Sequence, residues 1–205
     1  GVTGTAKYTS NNTGVASVDA KGVVTARKAG TARITVTYGN GSASCTVTVK
    51  NAALKLSAST KTIYTKGTPS TVTVKAAKTG VNGTVKYTSS NPKVATVNAA
   101  GKVTAKKAGT VTITAKCGSL TATYKITVKS PVLTLKTKAA VSIKKGKTTT
   151  IKAAATPKAT VTYKSSNARI AKVNSKGVVT GVKKGKATIT VTANGVSKKV
   201  VVTVK

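Results

Sequence analysis

Residues 87–129 read YTSSNPKVATVNAAGKVTAKKAGTVTITAKCGSLTATYKITVK. The same pattern stands at 8–50, 79 positions earlier (87 − 8 = 79), and at 163–205, 76 positions later (163 − 87 = 76), and neither superposition needs a gap. Self-similarity at such a period makes the chain an array of one unit, which overrides what a length of 205 residues suggests about domain number.

Inside the stretch, Val111, Ile113, Ala115 and Cys117 alternate with Thr110, Thr112, Thr114 and Lys116. After Gly118-Ser119 the alternation resumes through Leu120, Ala122, Tyr124, Ile126 and Val128. Successive side chains of a strand point to opposite faces, so this spacing predicts a hairpin with one apolar and one wet face. Residues 94–97 and 103–105 predict two short strands about the turn Asn98-Ala99-Ala100-Gly101. Gly101 recurs as Gly22 and Gly177, which points to a backbone that needs positive φ.

Outward from there, the second unit occupies 51–129 and is complete. Residues 53–58 and 72–76 alternate with period two around the turn Lys66-Gly67-Thr68-Pro69, and a third strand runs through Val85 and Tyr87 to the turn residues Ser89-Ser90-Asn91-Pro92. The third unit occupies 130–205. Its Leu133, Leu135, Ile143, Gly146 and Ile151 fall on Leu54, Leu56, Ile63, Gly67 and Val72, with three residues lost before Tyr163. The first unit, 1–50, lacks about 29 opening positions (79 − 50 = 29), so inward residues Ile34, Val36, Val47 and Val49 are expected to be partly uncovered. Completion by upstream residues or by strands of a neighbouring chain is expected. Helical spacing appears nowhere, and about seven short strands per unit predict an all-β fold: tandem immunoglobulin-like β-sandwich domains in an elongated array.

The pattern aromatic-x-S-S-N-x-x-[VI]-A-x-V-N-x-x-G-x-V-T, then a glycine and an x-I-T strand, resembles the bacterial immunoglobulin-like domain, group 2. Tyr87, Ser89, Ser90, Asn91, Val94, Ala95, Val97, Asn98, Gly101, Val103, Thr104, Gly109 and Ile113 carry it, with counterparts in both other units. Where that family often has Trp, this chain has Tyr at all three positions. The resemblance implies an extracellular, cell-surface or virion-surface setting, in adhesin stalks, wall-associated proteins, accessory parts of secreted hydrolases or phage structural proteins.

Composition limits the chemistry. There is no histidine, and Asp19 is the only acidic side chain, so carboxylate-pair hydrolysis, a Ser-His-Asp triad, a zinc site and a calcium site all lack their groups. The chain is read as non-enzymatic, with no catalytic residue, cofactor or metal; a Ser-Lys dyad is the one catalytic arrangement that composition leaves open. No apolar run approaches the ~20 residues of a membrane helix.

The 36 Lys and Arg against one acid give a net charge of +35. Such a balance is read in two ways: as a solvated strand face, or as an attraction for anionic wall polymers, acidic glycans or DNA. The candidate anion-binding residues are Arg27 and Lys28, Lys106 and Lys107, and Lys183 and Lys184, read as the same hairpin tip in each unit, with Lys144, Lys145 and Lys147 as a second cluster. Only six tyrosines are available for base stacking, so sequence-specific nucleic-acid binding is not expected. Tyr8, Tyr87 and Tyr163 are expected to be the largest buried side chains of their units. Cys45 aligns with Tyr124 and Cys117 with Tyr38, so both thiols are expected to be buried and unpaired, each facing a tyrosine across its hairpin. A reactive or cross-linking thiol is the alternative.

Overall fold

The computed structural model describes residues 4–205. Among them the chain is all β, with 23 strands and no helix. The first repeat contributes β1 (Lys7–Ser10), β2 (Ala16–Val18), β3 (Val24–Ala26), β4 (Gly30–Tyr38) and β5 (Gly41–Val49). The second contributes β6 (Ala53–Ser57), β7 (Thr62–Tyr64), β8 (Thr71–Thr73), β9 (Lys75–Thr79), β10 (Lys86–Ser89), β11 (Ala95–Val97), β12 (Lys102–Ala105), β13 (Gly109–Cys117) and β14 (Leu120–Lys129). The third contributes β15 (Val132–Leu135), β16 (Ala140–Ile143), β17 (Thr148–Thr150), β18 (Ala153–Thr156), β19 (Thr162–Ser165), β20 (Ala171–Val173), β21 (Val178–Gly181), β22 (Gly185–Ala193) and β23 (Val196–Val204). The chain packs into two compact units. One is the chain up to Lys55 with Ala76–Val85 and Lys116–Ala122; the other is Leu56–Lys75, Lys86–Ala115 and Thr123–Lys205.

The third repeat shows the plan most fully. One sheet has the order β16-β23-β22-β19 and the other β17-β21-β20, with β15 pairing β18. Along β22 the buried Ala187, Ile189, Val191 and Ala193 alternate with less buried threonines, as the period of a strand requires. They close on Val200, Val202 and Val204 of β23, on Ala171 and Val179 from the other sheet and on Ile151 just after β17, forming one apolar core. The second repeat repeats this with sheets β10-β13-β14-β7 and β11-β12-β8, around Ile63, Val74, Val103, Ile113 and Ile126.

Two strands differ from the sequence expectation. Residues 72–76 are not one strand: the chain leaves the ladder at Val74, whose amide donates to the Gly101 carbonyl at 2.9 Å, so β8 pairs with β12 and β9 with β6. Ile151 does the same towards Gly177 at 2.9 Å. The strand thus changes sheet without losing its alternation, which is why the pattern looked continuous. β7, unforeseen because three residues carry too little periodicity, lies parallel to β14 with Ile63 opposite Val128.

These registers also relocate the deletion in the third repeat. Ile143 stands opposite Val204 as Ile63 stands opposite Val128, so that equivalence holds. Thr149 faces Val179 as Val72 faces Val103, so Ile151 takes the place of Val74 and not that of Val72. Six residues separate Ile143 from Thr149 (149 − 143 = 6) where nine separate Ile63 from Val72 (72 − 63 = 9). The three missing residues therefore come from the turn between β7 and β8; only one is lost before Tyr163 (87 − 74 = 13 against 163 − 151 = 12).

The Ser-Ser-Asn motif proves to be internal stitching. The Ser89 hydroxyl donates to the Ala95 carbonyl at 2.7 Å, as Ser10 does to Ala16 and Ser165 to Ala171. Ser90 Oγ accepts the Thr112 amide at 3.0 Å, tying the loop to the facing strand. Asn98 Oδ1 accepts the amides of Ala100 and Lys102, closing the turn before β12. Asp19 does the same for Lys21 and Val23, so the one acidic residue of the chain acts as a turn acceptor.

Gly22, Gly101 and Gly177 adopt φ of 81°, 76° and 79°, as expected, and each lies under a tyrosine ring: a Cβ at Gly101 would stand 3.0 Å from Tyr87 Cζ. The tyrosines themselves correct the expectation. Tyr8, Tyr87 and Tyr163 are half-buried, and the largest fully buried side chains are isoleucines and one leucine, among them Ile113, Leu133 and Ile189. Each ring caps the sandwich over its glycine. Burial still pushes the Tyr163 phenol above its ordinary pKa by desolvation.

In the first repeat, β2 and β3 form a two-stranded sheet and β1, β4 and β5 a three-stranded one; among the described residues nothing takes the places of β7 and β8. The effect on the core is direct: Val24 is 39% exposed, whereas the equivalent Val103 and Val179 are 0% exposed. Val36, Val47 and Val49 are half-buried as expected, but Ile34 is 6% exposed because it lies in the central strand, flanked by β1 and β5. The open face leaves an apolar groove lined by Tyr8, Val24, Ile34, Val36 and Cys45. Cys45 is exposed there, against expectation, while Cys117 is buried; both are free thiols. Nor does Cys45 face Tyr38: it stands opposite Ile34, and Tyr38 opposite Gly41.

Candidate functional site

The basic residues singled out by sequence lie in turns that cross between sheets, not at hairpin tips. Arg27-Lys28 follows β3, Lys106-Lys107 follows β12 and Lys183-Lys184 follows β21. One carbonyl holds each turn: Val15 accepts the amides of Arg27 and Lys28, Val94 those of Lys106 and Lys107, and Ile170 those of Val182 and Lys183. The third repeat is therefore displaced by one residue, Val182 standing where Arg27 and Lys106 stand. All six side chains are exposed. Arg27 Nε donates to Ser17 Oγ at 3.1 Å.

In the third repeat the two predicted clusters come together. The Gly146 amide donates to the Gly181 carbonyl at 2.8 Å, the Gly181 amide to Lys147 O at 3.0 Å, and the Lys145 amide to Lys205 O at 3.2 Å. These bonds bind the turn after β16 to the turn after β21 and to the end of β23. One end of the sandwich thus carries Lys144, Lys145, Lys147, Lys183 and Lys184, all exposed. Beside them a shallow groove is lined by Lys184, Gly185, Lys186, Thr203, Val204 and Lys205. Lys186 and Lys205 were missed by the sequence reading; the register that sets Lys186 opposite Thr203 is what places them.

The second repeat gathers a smaller set. The Ala105 amide donates to Ser70 O at 3.1 Å and the Thr65 amide to Lys129 O at 2.9 Å, which puts Lys106 and Lys107 at the end that also holds Lys66 and Lys129. Asp19, the one acidic side chain of the chain, belongs to the first repeat, so neither of these repeats supplies a carboxylate side chain of its own to its lysines. Ammonium groups without a pocket act as point charges: they attract phosphate, sulfate or carboxylate chains but do not fix an orientation.

Family comparison meets this architecture. The model of the bacterial Ig-like domain (group 2) matches residues 54–128 and 131–204. The chain belongs to that family. Residues 4–51 match a second bacterial Ig-like domain model. No curated protein matches. Among solved structures, this Ig-like chain is similar to the S-layer protein rSbsC(31-844), at 23% identity and a TM-score of 0.42, covering 98% of this chain and 35% of that one. It is similar also to SbsC domains 4 and 5, at 26% identity and a TM-score of 0.40, covering 76% and 99%. An intimin mutant of EHEC O157:H7 aligns at 31% identity and a TM-score of 0.29, covering 38% and 40%. The chain spans about a third of the length of the S-layer protein, 35%. Among the described residues no helix is long and apolar enough to cross a membrane.

Proposed function

We propose that the chain is a non-enzymatic structural segment, a spacer or adhesion stalk of tandem Ig-like repeats on the outside of a bacterial cell or a phage particle. The links carry this reading. Only Ser130 and Pro131 separate β14 from β15, and only Lys50, Asn51 and Ala52 separate β5 from β6. Connections of two or three residues are too short to act as flexible tethers, and they suit modules that transmit position. Antibody raised against the chain should label intact, unpermeabilised cells, or purified particles, of its source. Labelling that needs lysis would overturn the reading.

A second reading is favoured by the lysines joined at the end of the third repeat: a contact surface for an anionic polymer such as a wall teichoic acid, an acidic glycan or DNA, without sequence preference. Binding that falls steeply with salt and is equal for unrelated DNA sequences supports it. Absence of binding to any of the three at low salt removes it and leaves the spacer.

A further inference from the structure

We infer that the turn at 66–69 in the second repeat and the hairpin tip Asn194-Gly195 in the third form a latch that makes these two repeats move as one body. The latch begins with a difference in length. Thr65 and Lys145 each donate an amide to the last carbonyl of the repeat, Lys129 and Lys205, and Ser70 and Lys147 each accept the amide that closes the sheet, from Ala105 and Gly181. Between those fixed points the second repeat has four residues, Lys66, Gly67, Thr68 and Pro69, and the third has Gly146 alone. The extra residues form the projection that reaches the third repeat, within the same compact unit of the fold.

The tip is shaped to receive it. Ala193 pairs with Val196 across a two-residue loop, in which Asn194 has φ of 52° and Gly195 φ of 69°. Positive φ at both positions is the type I′ turn for which Asn-Gly is the preferred pair. In that conformation the Asn194 side chain is half-buried, and its Nδ2 donates to the Pro157 carbonyl at 2.6 Å. Its amide oxygen lies against Gly67: a Cβ added at Gly67 would meet Asn194 Oδ1 and stand 3.1 Å from Pro157 Cγ. Gly195 lies under Lys66, whose Cδ would be 3.0 Å from a Cβ there. Two glycines thus admit backbone on one side and side chain on the other, and a half-buried amide hydrogen bond fixes the partner of both. The third repeat's own short turn shows the contrast, since a Cβ added at Gly146 would meet nothing within 4 Å. The equivalents of Asn194-Gly195 are Gly118-Ser119 and Gly39-Asn40, so neither other hairpin places an amide side chain at that first position.

The test is the alignment of the intact chain measured by residual dipolar couplings. In the unaltered protein, amides of 86–115 and of 132–204 should fit a single alignment tensor. Two variants remove the latch without demanding a new fold. Asn194→Gly keeps the positive φ and deletes the amide, and replacement of residues 66–69 by one glycine copies the turn of the third repeat. Loss of the common tensor in either variant, with β-sheet chemical shifts retained, supports the latch. Separate tensors in the unaltered chain, or one tensor retained in both variants, overturns it.

Discussion

The ring of Tyr163 lies on Gly177 so closely that a Cβ at Gly177 would stand 2.7 Å from Tyr163 Cζ and 2.6 Å from the Ile151 carbonyl oxygen. A residue with φ of 79° is already in the left-handed region, which costs roughly 1–2 kcal/mol for a side-chain-bearing residue. Gly177→Ala should exceed that cost, because one of the colliding atoms is backbone. Tyr163→Ala should cost about 2 kcal/mol, less than a fully buried aromatic, and Ile189→Ala about 2–5 kcal/mol. Urea titration checks the order; a Tyr163→Ala loss larger than that of Ile189→Ala would mean that the ring, not the isoleucine layer, is the centre of the core.

Burial holds the Tyr163 phenol above its usual range. An acid with a raised folded pKa contributes its stability fully below the unfolded value of about 10 and loses it as pH rises through the folded value. The 295 nm absorbance titration should therefore show a late component that Tyr163→Phe deletes. A variant whose curve keeps that component would assign the late ionisation to another tyrosine.

The two thiols should separate by rate. Cys45 is exposed beside the open groove and should react with a maleimide within the mixing time, whereas Cys117 is buried with its Sγ 3.5 Å from the Gly83 carbonyl oxygen and should wait for unfolding. Equal rates for both in native protein would contradict the uncovered face of the first repeat.

Asn98 accepts two amides in the turn before β12, and the first repeat does the same with Asp19. Asn98→Asp should therefore stay within about 0.5 kcal/mol of the parent. Asn98→Ala should cost about 1–2 kcal/mol, because two turn amides lose their acceptor. Denaturation curves that rank the aspartate variant below the alanine one would refute the acceptor role.

Each lysine that neutralises a duplex DNA phosphate adds about 0.9 to the slope of log affinity against log salt. If the basic end of the third repeat is a polyanion surface, changing Lys144, Lys145, Lys147, Lys183 and Lys184 to Gln should lower that slope by up to about 4.5. The same five changes spread over lysines on β6–β14 should lower it less; equal effects would show that only net charge matters.

How much of this was legible beforehand follows from the range of each signal. The three copies of the 87–129 pattern, the paired-sheet character and the positive φ of Gly101 were readable because alternation and turn chemistry are local properties of the backbone. Which alternating face is covered was not readable, since that depends on strands far away in sequence. Cys45 has the spacing of a core residue and is exposed because no strand in the described residues covers it. Tyr87 has the size of a core centre, but a glycine in the left-handed region fixes its ring at the rim. The lysines at 144–147 and 183–184 are about forty residues apart, and the hydrogen bonds of Gly181 to Gly146 and Lys147 make them one surface. Sequence determined the unit and its period; tertiary structure decided where a strand changes sheet, where three residues were lost and what the longer turn of the second repeat touches, because strand register and loop reach are set by hydrogen bonds between distant parts of the chain.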